Sequence, residues 1–210
     1  MSAATTRTEM GTPFLVGARL YLRALEEGDI TDAYVGWLND WEVTRYLESA
    51  GQFPARAQDV KQWLEKYRDP SKHLAFAVVL KEGGRHIGNI TLNNIAWIHR
   101  TAWIGVMIGK PFWGQGYATE AESLLLHYAF ERLQLHRIVH VAMADNAAGV
   151  RLPETLGFRA EGTLRQHYFA DGRYRDGVIF GLLAEEFRPW TPKKTAKRRA
   201  GRAVALAAGR

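Results

Sequence analysis

Residues 101–120 read TAWIGVMIGKPFWGQGYATE and decide the fold of this 210-residue chain. The apolar run at 104–108 predicts a mostly buried strand. Gly114 and Gly116 punctuate the turn that follows, and Thr119 is predicted to open a helix with acidic residues in its first turn. Glycine lets a backbone approach an anion closely, and a helix start offers free N–H groups with a partial positive charge. The stretch therefore predicts a phosphate-holding loop between a strand and a helix.

Two common phosphate-binding loops do not fit this stretch. A P-loop requires a Lys-Ser or Lys-Thr pair after its glycines, and none follows here. A dinucleotide-binding fold requires a third glycine where Thr119 stands, within a strand–helix–strand unit. Here several strands without helices between them precede the loop. A plain glycine turn with no ligand remains an alternative for the stretch taken alone.

A third loop, the acetyl-CoA loop of the GNAT N-acetyltransferases, resembles this stretch more closely. Its pattern is Gln/Arg-x-x-Gly-x-Gly/Ala. The chain matches the last two fixed places with Gly116 and Ala118, and departs from the first with Trp113. The resemblance implies that acetyl-CoA is bound here as a co-substrate.

Other segments resemble the same family and occur in the expected order over residues 15–187. They are LYLR at 20–23, WLND at 37–40, DNAAG at 145–149 and LGFRAEG at 156–162. The first two resemble the opening of the Rim-type branch, which includes ribosomal-protein and amino-sugar N-acetyltransferases. Separated segments that match in order are far more specific than any one of them.

The order of the elements favours an α+β (mixed α/β) fold rather than a doubly wound one. Strands are predicted at 19–25, 74–80, 85–93, 102–108, 137–142, 164–169 and 174–183, and helices at 29–38, 57–68, 119–133 and 147–156. Asp29 is the expected N-cap of the first helix, and Pro153 is expected to shorten or kink the last. The resemblance further implies a central, mostly antiparallel twisted sheet with a V-shaped splay between two central strands and helices on both faces.

The charge of the chain is unevenly distributed. Residues 188–210 hold eight of the 28 Lys and Arg residues and no acidic residue, which leaves 20 basic against 22 acidic residues elsewhere. We therefore expect a flexible N-terminal tail at 1–13, a domain at 14–187 and a basic C-terminal tail at 188–210. The tail would allow contact with RNA, a ribosome or an anionic membrane, although a solvated tail without a partner is the simpler interpretation.

Composition also limits the class of protein. The chain has no cysteine, so disulfides, thiolate metal sites and a cysteine nucleophile are excluded, and a cytoplasmic protein is expected. We expect no metal, no membrane span and no secretory signal. A monomer and a homodimer both remain open.

The resemblance implies which residues hold acetyl-CoA. The strand residues Val106, Met107 and Ile108 would pair with the pantetheine arm, and one of their N–H groups would donate to the thioester oxyanion. Asn146 would hydrogen-bond the same arm, or cap the next helix, or do both. The loop residues expected around the pyrophosphate are Trp113, Gly114, Gln115, Gly116, Tyr117, Ala118 and Thr119.

The proton-transferring groups cannot be carried over from the family. Related enzymes often have Glu, Ser and Tyr at places that hold Trp103, Gly149 and Pro153 here, and none of these three has a side chain that could protonate a thiolate or deprotonate an amine. His167 and Tyr168 are the weak candidates for a general acid or base. The preferred mechanism is positioning, with water as the proton carrier, and a serine at 149 would restore a hydroxyl near the sulfur.

The acceptor amine is not readable from the sequence. Candidate contacts are Trp37, Asn39, Arg45, Tyr46 and Asn93, although Trp37 is equally well explained as core. The resemblance implies an N-acetyltransferase acting on a small-molecule amine, such as an amino sugar, or on a peptide terminus. A non-catalytic CoA-binding regulatory protein and an RNA- or ribosome-associated protein acting through its basic tail are the alternatives.

Overall fold

A computed structural model of the chain describes residues 11–47 and 50–192. The strands are β1 (Leu15–Val16), β2 (Leu20–Ala24), β3 (Leu74–Leu80), β4 (His86–Ala96), β5 (Thr101–Ile108), β6 (Arg137–Met143), β7 (Arg159–Ala170) and β8 (Arg173–Leu183). The helices are α1 (Asp32–Leu38), α2 (Trp41–Thr44), α3 (Ala57–Glu65), α4 (Tyr117–Glu131) and α5 (Ala147–Thr155). Short 3₁₀ turns lie at 27–29, 66–68, 110–112 and 184–186.

The strands form one eight-stranded sheet in the order β1-β2-β3-β4-β5-β6-β8-β7. All neighbours are antiparallel except β5 and β6, which are parallel and pair only from Thr101↔Arg137 to Trp103↔Val139. Each of these two strands continues beyond that point, with β5 paired to β4 as far as Ile108 and β6 to β8 as far as Met143. The sheet therefore opens into a V between β5 and β6, which confirms the predicted fold.

Helices cover both faces of the sheet. On one face α4 packs its buried residues Ala121, Leu125 and Ala129 against apolar side chains of the strands. On the other, Tyr21 and Val79 form a smaller cluster with residues of α3. The main core thus lies between the sheet and α4. Side chains alternate between the two faces of the sheet along β5, and its even-numbered side chains point into this core.

Several predicted boundaries were wrong in detail. The first helix is capped by Thr31, whose Oγ1 accepts the N–H of Tyr34 at 3.3 Å, and not by Asp29. Asp29 is buried, and its carboxylate is compensated there by the Arg23 guanidinium at 2.5–2.6 Å. The helix behind the glycine loop begins at Tyr117, earlier than the predicted Thr119.

The end regions are only partly described. Trp190 lies on α4, where its backbone N–H donates to Ser123 Oγ at 2.9 Å, so the chain just past the expected boundary at 188 still packs on the domain. Most of the predicted N-terminal tail (1–10) and most of the basic tail (193–210) lie outside the described residues. The division into tails and domain stays a prediction.

Candidate active site

The opening between β5 and β6 exposes an edge of β5. Gly109, just past the strand, donates its N–H to Ile87 at 2.9 Å and continues the register of β5 with β4. Hydrogen-bonded pairs alternate along an antiparallel ladder, so Met107 and Gly105 also turn their N–H and C=O groups toward β4. The N–H of Val106 therefore points away from β4, into the splay.

The end of β5 next to the glycine loop agrees with this orientation of the backbone groups of β5. The carbonyl of Ile108 accepts the indole N–H of Trp113 at 2.6 Å from the side away from β4. Trp113, predicted to touch the cofactor, thus folds back over the end of β5. The predicted strand residues Val106, Met107 and Ile108 are brought beside the loop, but only Val106 and Ile108 turn N–H groups into the splay.

The glycine loop ends in the N-terminus of α4. Gly114 and Gly116 have φ values of 71° and 75°, a region that L residues rarely adopt, and Gly116 is the N-cap of the helix. Within the described part of the chain, no hydrogen bond uses the backbone N–H groups of residues 114–119. These free donors and the helix dipole are groups that could hold an anion at the open end of the splay, and the predicted contact with the pyrophosphate stays a prediction.

Arg19 binds the carbonyl groups of this loop. Sequence analysis did not identify this residue. Its guanidinium donates to the carbonyls of Gln115 and Gly116 at 2.8 and 3.3 Å. Glu120, buried in the first turn of α4, accepts the Arg19 backbone N–H and Nε, both at 2.7 Å. The loop carbonyls are thereby turned inward. No local pattern could reveal this contact, because the partners are about a hundred residues apart.

Asn146 caps α5 and lies at the end of β6. Its Oδ1 accepts the N–H of Gly149 at 3.0 Å, which confirms the predicted cap, while its contact with a ligand stays a prediction. A Cβ at Gly149 would come within 2.5 Å of Asn146 Nδ2. A serine at 149 would therefore require the Asn146 side chain to move, and the expectation that its hydroxyl would lie near the sulfur stays a prediction.

Trp37 and Asn39 from the predicted acceptor entrance make mainly structural contacts. The Trp37 ring packs against Gly109, where an added Cβ would come within 2.4 Å of it, and lies edge-on to Phe112. The Asn39 side chain bonds the backbone of Ala55 in both directions at 2.9 Å. Trp37 thus joins α1 to the turn before the glycine loop, and Asn39 joins the end of α1 to the segment before α3. Contact of either residue with an acceptor stays a prediction.

Arg45 and Tyr46 lie on the other side of that entrance. The Arg45 guanidinium stacks over the Tyr46 ring at 4.7 Å and reaches Asp171, at the β7–β8 turn, at 4.0 Å. Asp171 also pairs with Arg175, which is 8% exposed and pairs in addition with Asp145 before Asn146. Charged side chains thus connect α2, the β7–β8 hairpin and the end of β6.

A hydrogen-bonded row runs along β4 toward β5. Tyr67 Oη donates to Asn93 Oδ1 at 2.9 Å, and Asn93 Nδ2 donates to Thr91 Oγ1 at 2.9 Å. Thr91 Oγ1 then donates to the carbonyl of Gly105 at 3.3 Å. Burial raises the pKa of Tyr67, which keeps its hydroxyl protonated. Asn93, predicted to touch substrate, is used within this row, and Trp103 opposite it is 40% exposed.

His167 and Tyr168 lie on β7, an outer strand of the sheet. Their rings meet at 4.7 Å, His167 is exposed, and the Tyr168 ring covers Gly177. Gly177 pairs with Met143 at the end of β6, so Tyr168 lies nearer the splay than His167. A catalytic role for either stays a prediction.

A buried titratable pair lies beside the vertex of the splay. His140 directly follows Val139, the last β6 residue paired to β5, and its Nδ1 lies 3.6 Å from Glu122 Oε1 on α4. Among the described residues, neither Glu122 oxygen nor His140 Nδ1 has a hydrogen-bond partner. Burial raises the pKa of Glu122 to about 8 and lowers that of His140 to about 4, so both are neutral near pH 7.

The described residues contain neither a metal-binding cluster nor a membrane-spanning helix. No group of three or more His, Asp or Glu side chains there could hold a metal ion. No helix in the described ranges is both long and apolar enough to cross a bilayer.

Comparison with known proteins supports the geometric interpretation. The acetyltransferase (GNAT) domain matches residues 19–159. The protein named uncharacterized N-acetyltransferase p20 of Bacillus licheniformis is 32% identical over 170 residues, covering 80% of this chain and 95% of that protein. Spermidine N(1)-acetyltransferase of Escherichia coli is 30% identical over 109 residues, covering 52% of this chain and 59% of that protein.

A solved structure shares the fold over most of the chain. It is spermidine N-acetyltransferase from Vibrio cholerae in complex with CoA and spermine, with a TM-score of 0.72 and 28% identity. The match covers 80% of this chain and 97% of that one.

Proposed function

This chain belongs to the GNAT family of N-acetyltransferases, and from that premise we propose that it moves the acetyl group of acetyl-CoA directly to a primary amine of a small, polyamine-like molecule. The family membership makes the chain an acetyl-transferring enzyme with CoA thioester as donor. The acceptor class and the direct attack are the proposed part.

The splay between β5 and β6 is the observation that carries this proposal. It leaves the Val106 N–H without a strand partner and places it on the same edge as the free N–H groups of the glycine loop. An extended pantetheine arm could pair with that edge as a strand would. The pyrophosphate would then meet the N-terminus of α4.

The backbone supplies the catalytic donor in this account. As the amine nitrogen bonds to the thioester carbon, negative charge develops on the carbonyl oxygen, and the Val106 N–H is placed to stabilise it. The C–S bond then breaks. The amine proton passes to water and the thiolate takes a proton from water, since Gly149 and Pro153 offer none.

The acceptor class rests on the relatives and on the site. Two relatives are named for spermidine, a small flexible polyamine. The face of the sheet opposite α4 presents the half-exposed Trp103 beside Asn93, near the vertex of the splay. An aromatic face beside amide and hydroxyl groups suits an alkylamine, because it packs the methylenes and attracts the cationic nitrogens.

An acceptor panel tests the proposal. Purified chain with acetyl-CoA is offered spermidine, spermine, an amino sugar and a short peptide with a free N-terminus, and CoA release is measured. Polyamines should give the highest kcat/KM. With both substrates varied, intersecting reciprocal plots are expected, since there is no cysteine to carry the acetyl group.

Three results would count against the proposal in different ways. A preference for the peptide or the amino sugar would overturn the acceptor class alone. Parallel plots, or an acetylated chain isolated without acceptor, would overturn direct transfer. Acetyl-CoA that binds without turnover on any amine would favour a CoA-binding regulatory protein.

A contact of the basic tail with nucleic acid remains a separate prediction. It concerns the basic tail at 188–210, of which residues 193–210 lie outside the described part of the chain.

A further inference from the structure

The carbonyl and the N–H of the peptide group between Gly105 and Val106 point in opposite directions. Its carbonyl, on Gly105, points toward β4, and its N–H, on Val106, points into the splay. The two ends of one peptide are electronically coupled, because resonance links the carbonyl to the nitrogen. A hydrogen bond to the carbonyl therefore makes the N–H a stronger donor and also holds the peptide plane in place.

Thr91 provides such a bond from its side chain. Its hydroxyl donates to the Gly105 carbonyl at 3.3 Å, in addition to the ladder bond expected between these directly paired residues. Thr91 is 8% exposed, so the contact is shielded from water. Thr91 Oγ1 lies close over Gly105, since a Cβ built there would be in van der Waals contact with it at 3.4 Å.

The direction of the Thr91 hydroxyl is set by its neighbours. Asn93 uses its oxygen to accept from Tyr67, which leaves its Nδ2 as the donor to Thr91. Thr91 Oγ1 accepts that bond, and its own hydrogen is directed to the Gly105 carbonyl. Donors thus follow one another in a single direction from Tyr67 to the splay, an arrangement in which each bond polarises the next.

We propose that Thr91 is a positioning residue, which acts with Asn93 and Tyr67 to fix and polarise the Gly105–Val106 peptide as the oxyanion donor. The inference rests on the proposed function, because it needs a thioester carbonyl opposite the Val106 N–H. It assigns a role in catalysis to side chains that lie on β4, across the strand from the reacting atoms.

Thr91→Val removes the hydroxyl at nearly constant shape and is the main test. With acetyl-CoA and the best acceptor of the panel, kcat should fall roughly threefold to tenfold, the range expected for one lost hydrogen bond. The affinity for CoA, measured by calorimetry, should not change, since CoA has no thioester carbonyl. Thr91→Ser keeps the hydroxyl and should restore kcat.

Two further variants distinguish an effect transmitted along the hydrogen bonds from Tyr67 to Thr91 from a general loss of structure. Tyr67→Phe should lower kcat by a smaller factor in the wild-type chain and have no effect in the Thr91→Val chain, because its influence passes through Thr91. Thr155→Val is the matched control. It removes a hydroxyl that donates to the Arg151 carbonyl at 2.8 Å on α5, and it should leave kcat unchanged.

The outcomes distinguish this inference from the proposed function. A wild-type chain that turns over no amine overturns both. Turnover with full kcat in Thr91→Val overturns the inference alone, as does a kcat loss matched by an equal loss of CoA affinity. If Thr91→Val fails to fold, Tyr67→Phe provides the test instead. A lowered kcat with unchanged CoA affinity would support the positioning role, and an unchanged kcat would overturn it.

Discussion

Glu122 and His140 form a buried pair, with Glu122 fully buried and His140 nearly so. They face each other between α4 and β6, and the rings of Phe158 and Phe180 lie about His140 at 6.1 and 6.3 Å. Their neutral forms are favoured, since a charge on either would lack compensating hydrogen bonds. The free energy of unfolding of the domain therefore depends on pH through this pair.

We expect Glu122→Gln to stabilise the domain increasingly as pH rises. The folded-state pKa of Glu122 is raised from 4.5 to about 8, so between these values the unfolded chain ionises and the folded chain does not. The folded state then binds more protons, and the free energy of unfolding falls with pH. Glutamine cannot ionise and escapes this loss.

Urea unfolding of both chains at pH 5 and pH 8 measures the effect. The lowered pKa of His140 destabilises both chains alike as pH falls from 6.5 toward about 4, so it cancels in the difference. A difference that does not change with pH would refute the neutral carboxyl. A variant less stable than wild type at pH 8 would point to a charged ion pair instead.

Predictability at the scale of residues depends on how far apart the partners are. Gly114, Gly116 and the capping role of Asn146 follow from local chemistry and were predicted. Arg19 and Thr91 were not, since their roles appear only when distant strands meet. The crowding around Gly149 was not predicted for a similar reason, because it comes from the folded Asn146 side chain.

At the scale of elements, the glycine loop depends on Arg19 for its shape. The guanidinium bridges two loop carbonyls and the buried Glu120 carboxylate, so its loss would free the loop and leave a buried charge unpaired. Arg19→Ala should weaken binding of acetyl-CoA about tenfold, the effect of losing roughly one charge-assisted hydrogen bond between the displaced loop and the anion.

Acetyl-pantetheine provides the decisive comparison, because it carries the thioester without the pyrophosphate. Its kcat/KM should be nearly the same in Arg19→Ala and in wild type. Arg56→Ala, which removes an exposed Arg paired with Asp59 on α3, is the matched control and should alter neither substrate. Equal losses for both thioesters would mean that Arg19 supports the whole domain rather than the loop.

Helices and strands with a strongly periodic pattern of apolar residues were predicted nearly to their ends. β3 was placed at its observed bounds, and the helix at 57–68 appears as α3 followed by a 3₁₀ turn. The first turn of α4 was missed because Gly116, and not Thr119, starts the helix from a left-handed conformation. The two-residue β1 has no periodic signal and was not predicted.

At the scale of the whole molecule, the splay is the feature that joins fold to function. The residues alone favoured a mixed sheet, and the resemblance supplied the opening between two central strands. The structure shows where it begins, since parallel pairing ends at Trp103↔Val139. Acceptor identity was not predictable, because the groups around the entrance come from α2, β6 and the β7–β8 hairpin and meet only in three dimensions.

Hydrogen exchange of the backbone amides, followed by mass spectrometry with and without acetyl-CoA, tests the central claim that the splay holds the donor. Protection should appear in peptides spanning 104–108 and 113–119, because they contain the Val106 N–H and the loop N–H groups of residues 114–119, which are free in the described structure. The outer strand β7 should exchange as before and serves as the internal reference. Protection confined to other segments, or absent at saturating acetyl-CoA, would contradict the account.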